Sequence, residues 1–299
     1  MTDDNLHAPR WKDRVFARQG AARWTFGLPD VRAAGPGPPG RQGRKREAEI
    51  YWRLIPGLTG GRAIAWAMRY DGGELVLVGS GGFGRETAEA VRASVAVGVP
   101  WRLLGFIDDD PARIGTVIDG TPVIGGRGEL RRHPDARVVV CTGRPDNYVS
   151  RPRIVSQLCL PAERYATIVH PAASISSSSS VGPGSVLLAN AVLTAAVRVG
   201  AHVAVMPHVT LTHDDVIEDF ATLASGSTRG GGASVGRGAY IGAGAIIGQG
   251  LAVGELALVG MGAVVTKDIP EREVWAGVPA RRMRDAVIPA GPGTDPFGG

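Results

Sequence analysis

A six-residue hydrophobic repeat in the second half of the chain constrains the fold more than any other feature. Stepping by six from Ile175 to Val265 gives sixteen positions, of which fifteen are aliphatic, and the residue four places later is usually small. A fixed short period is typical of a solenoid. Because six residues make one short strand and one turn, three hexads close a triangular coil whose aliphatic residues point into the prism. Residues 166–269 are therefore predicted to form a β-solenoid of about five coils.

One position of this repeat does not fit the pattern. Arg229 occupies an inward slot, between Gly226 and the all-glycine run 230–232. A long cation is costly in an apolar interior unless it is paired. Either the coil loops out there or Arg229 turns outward, and the sequence leaves both open.

The basic character of the chain belongs to its N-terminal segment. Residues 1–72 contain 13 Lys and Arg against 7 Asp and Glu, a net of +6, while the whole chain carries +5, so the remaining 227 residues sum to −1. A basic, nucleic-acid-binding fold is therefore not indicated. The Arg, Gly and Pro content of the segment predicts a mostly disordered extension. Any contact with a membrane would be made by this extension alone.

Within this extension, the stretch 55–71 resembles the C-terminal end of bacterial membrane sugar-1-phosphate transferases. That family carries Pro-Gly-x-Thr-Gly, then Gly-Arg, then a Trp, and the matching elements here include Pro56, Arg62 and Trp66. Several residues between the elements are missing, and the catalytic core of that family does not precede the stretch. A fusion remnant, a coincidence and an overlong gene start all remain open.

The location of the protein is predicted from its apolar segments and cysteines. No apolar run reaches the roughly 18 residues that a membrane span needs, and residues 1–14 lack the apolar core of a signal peptide. Cys141 and Cys159 are too few for a disulfide framework, and their apolar neighbours predict two buried thiols. We therefore expect a cytoplasmic protein.

Residues 73–165 alternate apolar strands with helical sequence. Three strands and a helix are predicted over 74–78, 102–107, 136–142 and 85–96, respectively. The first strand runs into a glycine-rich turn, 79–84, and the second ends in three aspartates, 108–110. This order is expected of a Rossmann-like parallel-sheet unit. Glycines before a helix let a phosphate approach backbone N–H groups.

His213 is the main candidate for a catalytic residue. It follows the inward Leu211 by two places, at a turn where the side chain faces outward, and Asp214 comes next. A histidine beside a carboxylate is suited to act as a general base near neutral pH. A solvated turn histidine without a function is the alternative.

The Rossmann-like unit, the hexapeptide repeat and the His-Asp turn occur together, and this combination resembles the sugar O-/N-acyltransferase family. That family includes sialic acid O-acetyltransferases and UDP-4-amino-sugar N-acetyltransferases, and the resemblance covers residues 73–283. Within the C-terminal segment and tail, 270–299, the stretch 275–283 resembles the Gly-x-Pro-Ala-(Lys/Arg) terminus of hexapeptide-repeat enzymes. The resemblance implies a small α/β domain followed by a left-handed parallel β-helix, an exception to the right-handed crossover rule.

The same resemblance implies an activity. An acyl group, generally acetyl, would pass from acetyl-CoA to an amino or hydroxyl group of a free or nucleotide-linked sugar, in surface glycan or polysaccharide biosynthesis. No metal is implied, and the expected assembly is a homotrimer with its active groove between subunits. His213 would be the catalytic base, and Asp214 the neighbour that strengthens it.

Further site residues follow from the family pattern. Those expected to bind the sugar substrate are Gly81, Gly82, Phe83, Asp108, Asp109 and Gly143. Those expected to bind acetyl-CoA are Thr222, Ala243 and Met261. Two departures affect these assignments, since Thr222 and Phe83 stand where the family often has histidine. A solvated turn for the aspartates and plain coil packing for Ala243 and Met261 are the alternatives.

Three other functions compete with acyl transfer. A γ-type carbonic anhydrase uses the same β-helix and two zinc histidines five residues apart, which is the spacing of His208 and His213. Zinc needs a third protein ligand, which that family supplies two coils earlier. Alanine and serine stand at those positions here, so the third ligand is missing. A catalytically impaired scaffold is suggested by Thr222 and Arg229. NAD-linked chemistry would need a substrate domain for which no sequence is left.

Overall fold

A computed structural model describes residues 72–288 and 296–297. The predictions for the N-terminal extension therefore lie outside the described residues. Within the described part, no helix is both long enough and apolar enough to cross a lipid bilayer.

The first part of the described chain is a five-stranded sheet in the order β3-β4-β2-β1-β5. In chain order its strands are Gly73–Val78 (β1), Trp101–Ile107 (β2), Val117–Ile118 (β3), Thr121–Gly125 (β4) and Arg137–Val140 (β5). All neighbours are parallel except β3 and β4. The predicted parallel sheet is confirmed, and β3 and β4 are additions that the sequence pattern did not indicate. We call this part the N-terminal domain.

Two helices accompany the sheet, Gly82–Ala96 (α1) and Ser150–Leu158 (α2), together with short 3₁₀ turns at Arg127–Arg132 and Ala162–Arg164. Helix α1 begins three residues before its predicted start, because the glycine turn itself forms the first helical turn. A Cβ atom on Gly84 would lie 2.0 Å from the carbonyl oxygen of Gly79, so only glycine permits this close packing.

One of the two thiols was predicted wrongly. Cys141 is buried, but Cys159 is exposed. Cys159 ends α2 in the left-handed conformation, with φ +48°, so its side chain leaves the apolar face that Leu158 and Leu160 share.

From Ile168 onward the chain forms a left-handed parallel β-helix with three faces. The strands of the first face are Ile168–Val169, Val186–Leu187, Ala204–Val205, Thr222–Leu223, Tyr240–Ile241, Leu258–Val259, Glu273–Ala276 and Arg281–Asp285. Those of the second face are Ser174–Ile175, Val192–Leu193, Thr210–Leu211, Thr228–Arg229, Ile246–Ile247 and Val264–Val265. Those of the third face are Ser180–Val181, Arg198–Val199, Val216–Ile217, Ser234–Val235 and Ala252–Val253. Up to Val265, each strand pairs in parallel with the strand eighteen residues away, as Thr210 does with Thr228. Leu258 then pairs in parallel with Val274, sixteen residues on, and only the last pair, at the C-terminal end, is antiparallel.

The inward residues of the repeat lie inside the prism as predicted. All sixteen positions are buried except Ile175 in the first coil, which is partly buried. Arg229 is also buried, and neither of the two arrangements left open for it occurs. Its strand stays paired with Ile246–Ile247, and its side chain points inward with 3% of its surface exposed.

The N-terminal domain packs against the first face of the β-helix. Val186 and Leu188 of the β-helix share one apolar cluster with Leu75 and Val91. At the same junction the Ser94 hydroxyl donates to the carbonyl oxygen of Val169, 3.2 Å away. The second and third faces therefore carry the outward side chains that are free of this domain.

Candidate active site

His213 lies at the corner between the second and third faces. Its Nδ1 atom is 2.9 Å from Oδ2 of Asp214, and the two side chains are 59% and 68% exposed. Asp214 takes the left-handed conformation, with φ +63°, which turns its side chain back onto the imidazole. Since only a protonated Nδ1 can donate to the carboxylate, this contact places the proton of a neutral ring on Nδ1 and leaves Nε2 as the proton acceptor.

The six residues predicted to bind the sugar substrate lie together in one cleft. The cleft has a volume of about 370 Å³ and opens at the carboxyl ends of β1, β2 and β5. This is where parallel α/β sheets generally bind ligands. Its lining includes every one of the predicted residues, namely Gly81, Gly82, Phe83, Asp108, Asp109 and Gly143.

The two aspartates of this cleft differ in their contacts. Asp108 accepts hydrogen bonds from the backbone N–H and the hydroxyl of Ser80, at 3.0 and 2.5 Å, and from the N–H of Asp110 at 3.0 Å. Burial raises the pKa of Asp108, but these hydrogen bonds and the charge of Arg113 outweigh it and lower the pKa below its usual value. Asp108 therefore fixes the glycine turn, whereas Asp109 pairs with Arg127 at 2.6 Å on the rim of the cleft.

Sequence reasoning missed Arg127 and Arg151 in this region. Arg127 follows the carboxyl end of β4, so recognising β4 would have placed it at the cleft. Arg151, on α2, is 1% exposed, and it donates to the carbonyl oxygens of Thr142 and Phe220, both at 2.8 Å. Burial lowers the pKa of Arg151 to about 10.

Thr222 lies at the junction of the domains and not on an open face. It is 5% exposed, and its hydroxyl oxygen accepts a hydrogen bond from Arg151 at 2.8 Å. A Cβ atom on Gly143 would come within 3.6 Å of this hydroxyl. Thr222 thus lies directly behind the sugar-substrate cleft, and its one hydroxyl proton remains available for donation.

Ala243 and Met261 lie on a different corner from His213. Both are exposed, and they stack one coil apart at the corner between the first and second faces. His208 lies on that same corner, so the two histidines of the carbonic anhydrase alternative are separated by a whole face of the prism. Over the described ranges, no group of three His, Cys, Asp or Glu residues is placed to hold a metal ion.

Comparison with known proteins identifies the family. Residues 74–158 match the PglD N-terminal domain family. The acetyltransferase domain of PglB from Neisseria gonorrhoeae FA1090 is 30% identical, with a TM-score of 0.62, and the match covers 70% of this chain and 99% of that one. No curated protein matches the sequence significantly.

Two further solved structures are similar over the same part of the chain. Perosamine N-acetyltransferase from Caulobacter crescentus, in complex with CoA and GDP-perosamine, is 25% identical with a TM-score of 0.64, over 71% of this chain and 98% of that one. WeeI from Acinetobacter baumannii AYE is 29% identical with a TM-score of 0.61, over 71% of this chain and 100% of that one.

The chain belongs to the sugar acyltransferase family with a hexapeptide-repeat β-helix. The predicted fold and the predicted class of enzyme, an acetyl-CoA-dependent sugar acetyltransferase, are thereby confirmed. Among its relatives, the PglB acetyltransferase domain has also been solved in complex with acetyl coenzyme A.

Proposed function

We propose that this protein transfers the acetyl group of acetyl-CoA to an amino group of a nucleotide-linked sugar, in the biosynthesis of a surface glycan. The contact between His213 Nδ1 and Asp214 Oδ2 carries the proposal, because it leaves an exposed ring nitrogen free to accept a proton. An amino acceptor is chosen over a hydroxyl because a similar solved enzyme is a perosamine N-acetyltransferase.

The reaction needs one proton acceptor and one oxyanion contact. The sugar amine attacks the thioester carbonyl carbon while its proton passes to Nε2 of His213. Asp214 stabilises the imidazolium that forms, and a backbone N–H donates to the oxyanion. When the tetrahedral intermediate collapses, the C–S bond breaks and the CoA thiolate takes the proton from the imidazolium.

The nucleotide diphosphate would bind at the start of α1. This helix has fifteen residues and no acidic residue in its first turn, so its N-terminal dipole favours an anion. Gly81 and Gly82 have no atom within 4 Å of the position of an added Cβ, which leaves space for phosphate next to the backbone. Asp109 and Arg127 lie at the rim of the cleft, where the base or ribose would lie.

The acetyl-CoA groove is proposed to lie between subunits of a homotrimer. His213 borders the second face on one side, and Ala243 and Met261 border it on the other. The outward residues of this face are uncharged, namely Ser174, Val192, Thr210, Thr228, Ile246 and Val264. A neighbouring copy packed against this face would bring its own corner to His213. Cytoplasmic location fits two cysteines that form no disulfide.

A coupled assay for free CoA tests the proposal. The protein is incubated with acetyl-CoA and, separately, with GDP-, UDP- and dTDP-linked amino sugars, their hydroxyl counterparts and CMP-sialic acid. We expect CoA release with at least one nucleotide-linked amino sugar, and mass spectrometry should find one added acetyl group on it. Release only with a hydroxyl acceptor would replace N- by O-acetylation, and release with none would favour the scaffold alternative.

A further inference from the structure

Two charged residues, Asp215 and Arg229, are buried inside the prism beneath the His213 turn. Asp215 occupies a slot of the repeat that elsewhere holds only uncharged residues, most often Ala or Ser, and it is fully buried. Arg229 occupies an inward slot that is aliphatic at every other position of the repeat, and it is 3% exposed. Opposite charges buried together are costly, so their presence requires a reason other than stability.

Asp215 makes the same inter-coil hydrogen bond as two serines in the same slot, and it makes a second bond as well. Ser179 and Ser185 each accept the N–H of the residue eighteen places on, at 3.1 and 2.9 Å. Asp215 accepts the corresponding N–H, that of Ala233, at 2.9 Å with Oδ1. Its second oxygen, Oδ2, also accepts the N–H of Thr212 at 2.9 Å, which closes the turn across His213.

The two hydrogen bonds accepted by Asp215 join the His213 turn to Thr212 on one side and to the next coil, at Ala233, on the other. Thr212 precedes the histidine, and its hydroxyl donates to the carbonyl oxygen of Arg229 at 2.9 Å. Ala233 lies in the next coil, directly after the glycine run 230–232, in which Gly231 lies against the imidazole. Hydrogen bonds to Asp215 therefore fix the turn from inside the prism, while the carboxylate of Asp214 contacts the imidazole from outside.

Arg229 supplies the charge that balances this carboxylate. Burial raises the pKa of Asp215 above its usual value, and its two backbone hydrogen bonds and the charge of Arg229 offset only part of this rise. None of the guanidinium nitrogens of Arg229 has a hydrogen-bond partner among the residues that the structure describes. Arg229 therefore acts on Asp215 through its charge alone, and an ionised carboxylate makes stronger bonds to N–H groups than a neutral one.

We infer that Asp215 is a positioning residue for His213, which it holds through the turn at Thr212, and that Arg229 is kept inside the prism as its counter-charge. This inference rests on the proposed function, because it takes His213 to be the base. Charged groups near the imidazole are Asp214 on the outside and Asp215 with Arg229 on the inside.

Replacing both charged residues by residue types that the repeat has at these positions distinguishes a role in positioning His213 from a role in stability. In the double variant Asp215→Ser/Arg229→Leu, the serine keeps the inter-coil bond, as Ser185 does, but loses the bond to Thr212. Replacement of a buried charge pair by residues that suit the interior is neutral or stabilising. The melting temperature should therefore equal or exceed that of the wild type, while kcat falls at least tenfold, since misplacing a reacting group is costly. KM for both substrates should stay within threefold.

The matched control is Ser185→Ala, which removes an equivalent inter-coil bond far from His213. It should lower the melting temperature slightly and leave kcat unchanged. A double variant whose kcat stays within twofold of the wild type overturns the inference. Should that variant not fold, Asp215→Asn, which has the same size, takes its place with the same criterion.

The variant His213→Ala distinguishes failure of the inference from failure of the proposed function. If it keeps more than half of the activity, His213 is not the base, and both fail. If it is inactive while the double variant turns over normally, only the role of Asp215 and Arg229 is wrong.

Discussion

The imidazole of His213 lies against Gly231, the residue one coil further along the chain. A Cβ atom built on Gly231 would come within 2.2 Å of Nε2, the ring nitrogen proposed to accept the proton. The two turns are also joined through Gly232, whose N–H donates to the carbonyl oxygen of His213 at 2.8 Å. The position of the ring thus depends on the absence of a side chain at Gly231.

Gly231→Ala should displace His213 without straining the backbone. The backbone of Gly231 lies outside the left-handed region, so alanine adopts it freely, and the methyl group must push the ring aside. We expect kcat to fall by about 10²-fold, the typical effect of misplacing a catalytic group by 1 Å. Gly128→Ala is the control, since nothing lies within 4 Å of its added Cβ. Equal activity of both variants would show that the ring has room elsewhere.

Removing the base itself should cost more. His213→Ala is expected to lower kcat by roughly 10²–10⁴-fold, the usual contribution of a general base. The melting temperature should hardly change, because the side chain is exposed. Asp214→Asn should have a smaller effect on kcat, since the imidazolium that forms during transfer loses its carboxylate partner. An unchanged kcat in the Asp214 variant would contradict the role of Asp214.

The repeat predicted that the side chain of His213 faces outward, because each position of a periodic element points to a fixed side of that element. Once Leu211 is placed inside the prism, a residue two places later falls on an outward turn, and the structure has it there. The cleft residues were predictable for a similar reason. Parallel strands end at one edge of a sheet, so the glycine turn after β1 and the aspartates after β2 must meet.

Contacts between distant segments could not be predicted from the pattern. The repeat indicates that Thr222 faces outward from the prism, but not that Arg151, 71 residues earlier, covers it. The repeat likewise does not indicate that a buried carboxylate, that of Asp215, accompanies the guanidinium of Arg229 inside the prism. A periodic pattern specifies which side of an element is buried, but it does not identify the residues that pack against that side.

Loss of the Asp108 carboxylate should weaken binding of the nucleotide-sugar. In Asp108→Asn an amide N–H₂ group replaces one acceptor oxygen opposite the N–H groups of the glycine turn, which loosens the phosphate site. We expect the Kd measured by calorimetry to rise about tenfold, with a smaller rise for Asp109→Asn. The wild type should bind a nucleotide-sugar more tightly than NAD or NADP. Tight NAD binding alone would assign another function to the N-terminal domain.

Deleting residues 1–71 should leave the folded body intact. Strand β1 is flanked on both sides by β2 and β5, so its ladder is complete within the described residues. The match with the PglB acetyltransferase domain covers 99% of that domain and 70% of this chain. We expect nearly unchanged transfer and a melting temperature within about 2 °C of the wild type. Aggregation of the truncated protein would show that the domain boundary lies earlier.

His202 is buried between two aromatic rings. Its ring stacks on Phe220 at 5.0 Å and meets Tyr165 edge-on at 4.5 Å. Burial, together with the charge of Arg151, lowers the pKa of His202 to about 4. Because the unfolded chain takes up this proton near pH 6.5 and the folded one only near 4, the stabilising effect of the neutral ring is complete above pH 6.5 and is lost as the pH falls to 4.

The free energy of unfolding should therefore fall by on the order of 3 kcal/mol over that window on account of this residue alone. Urea unfolding at pH 7, 6, 5 and 4.5 measures it. His202→Asn, which suits the left-handed backbone at φ +55°, should be less stable at pH 7 but should lose less stability on acidification. His208→Asn is the matched control, since His208 is an exposed corner residue with φ +60°, and its pH dependence should follow the wild type. Parallel curves for the wild type and the His202 variant would show that acid sensitivity arises elsewhere.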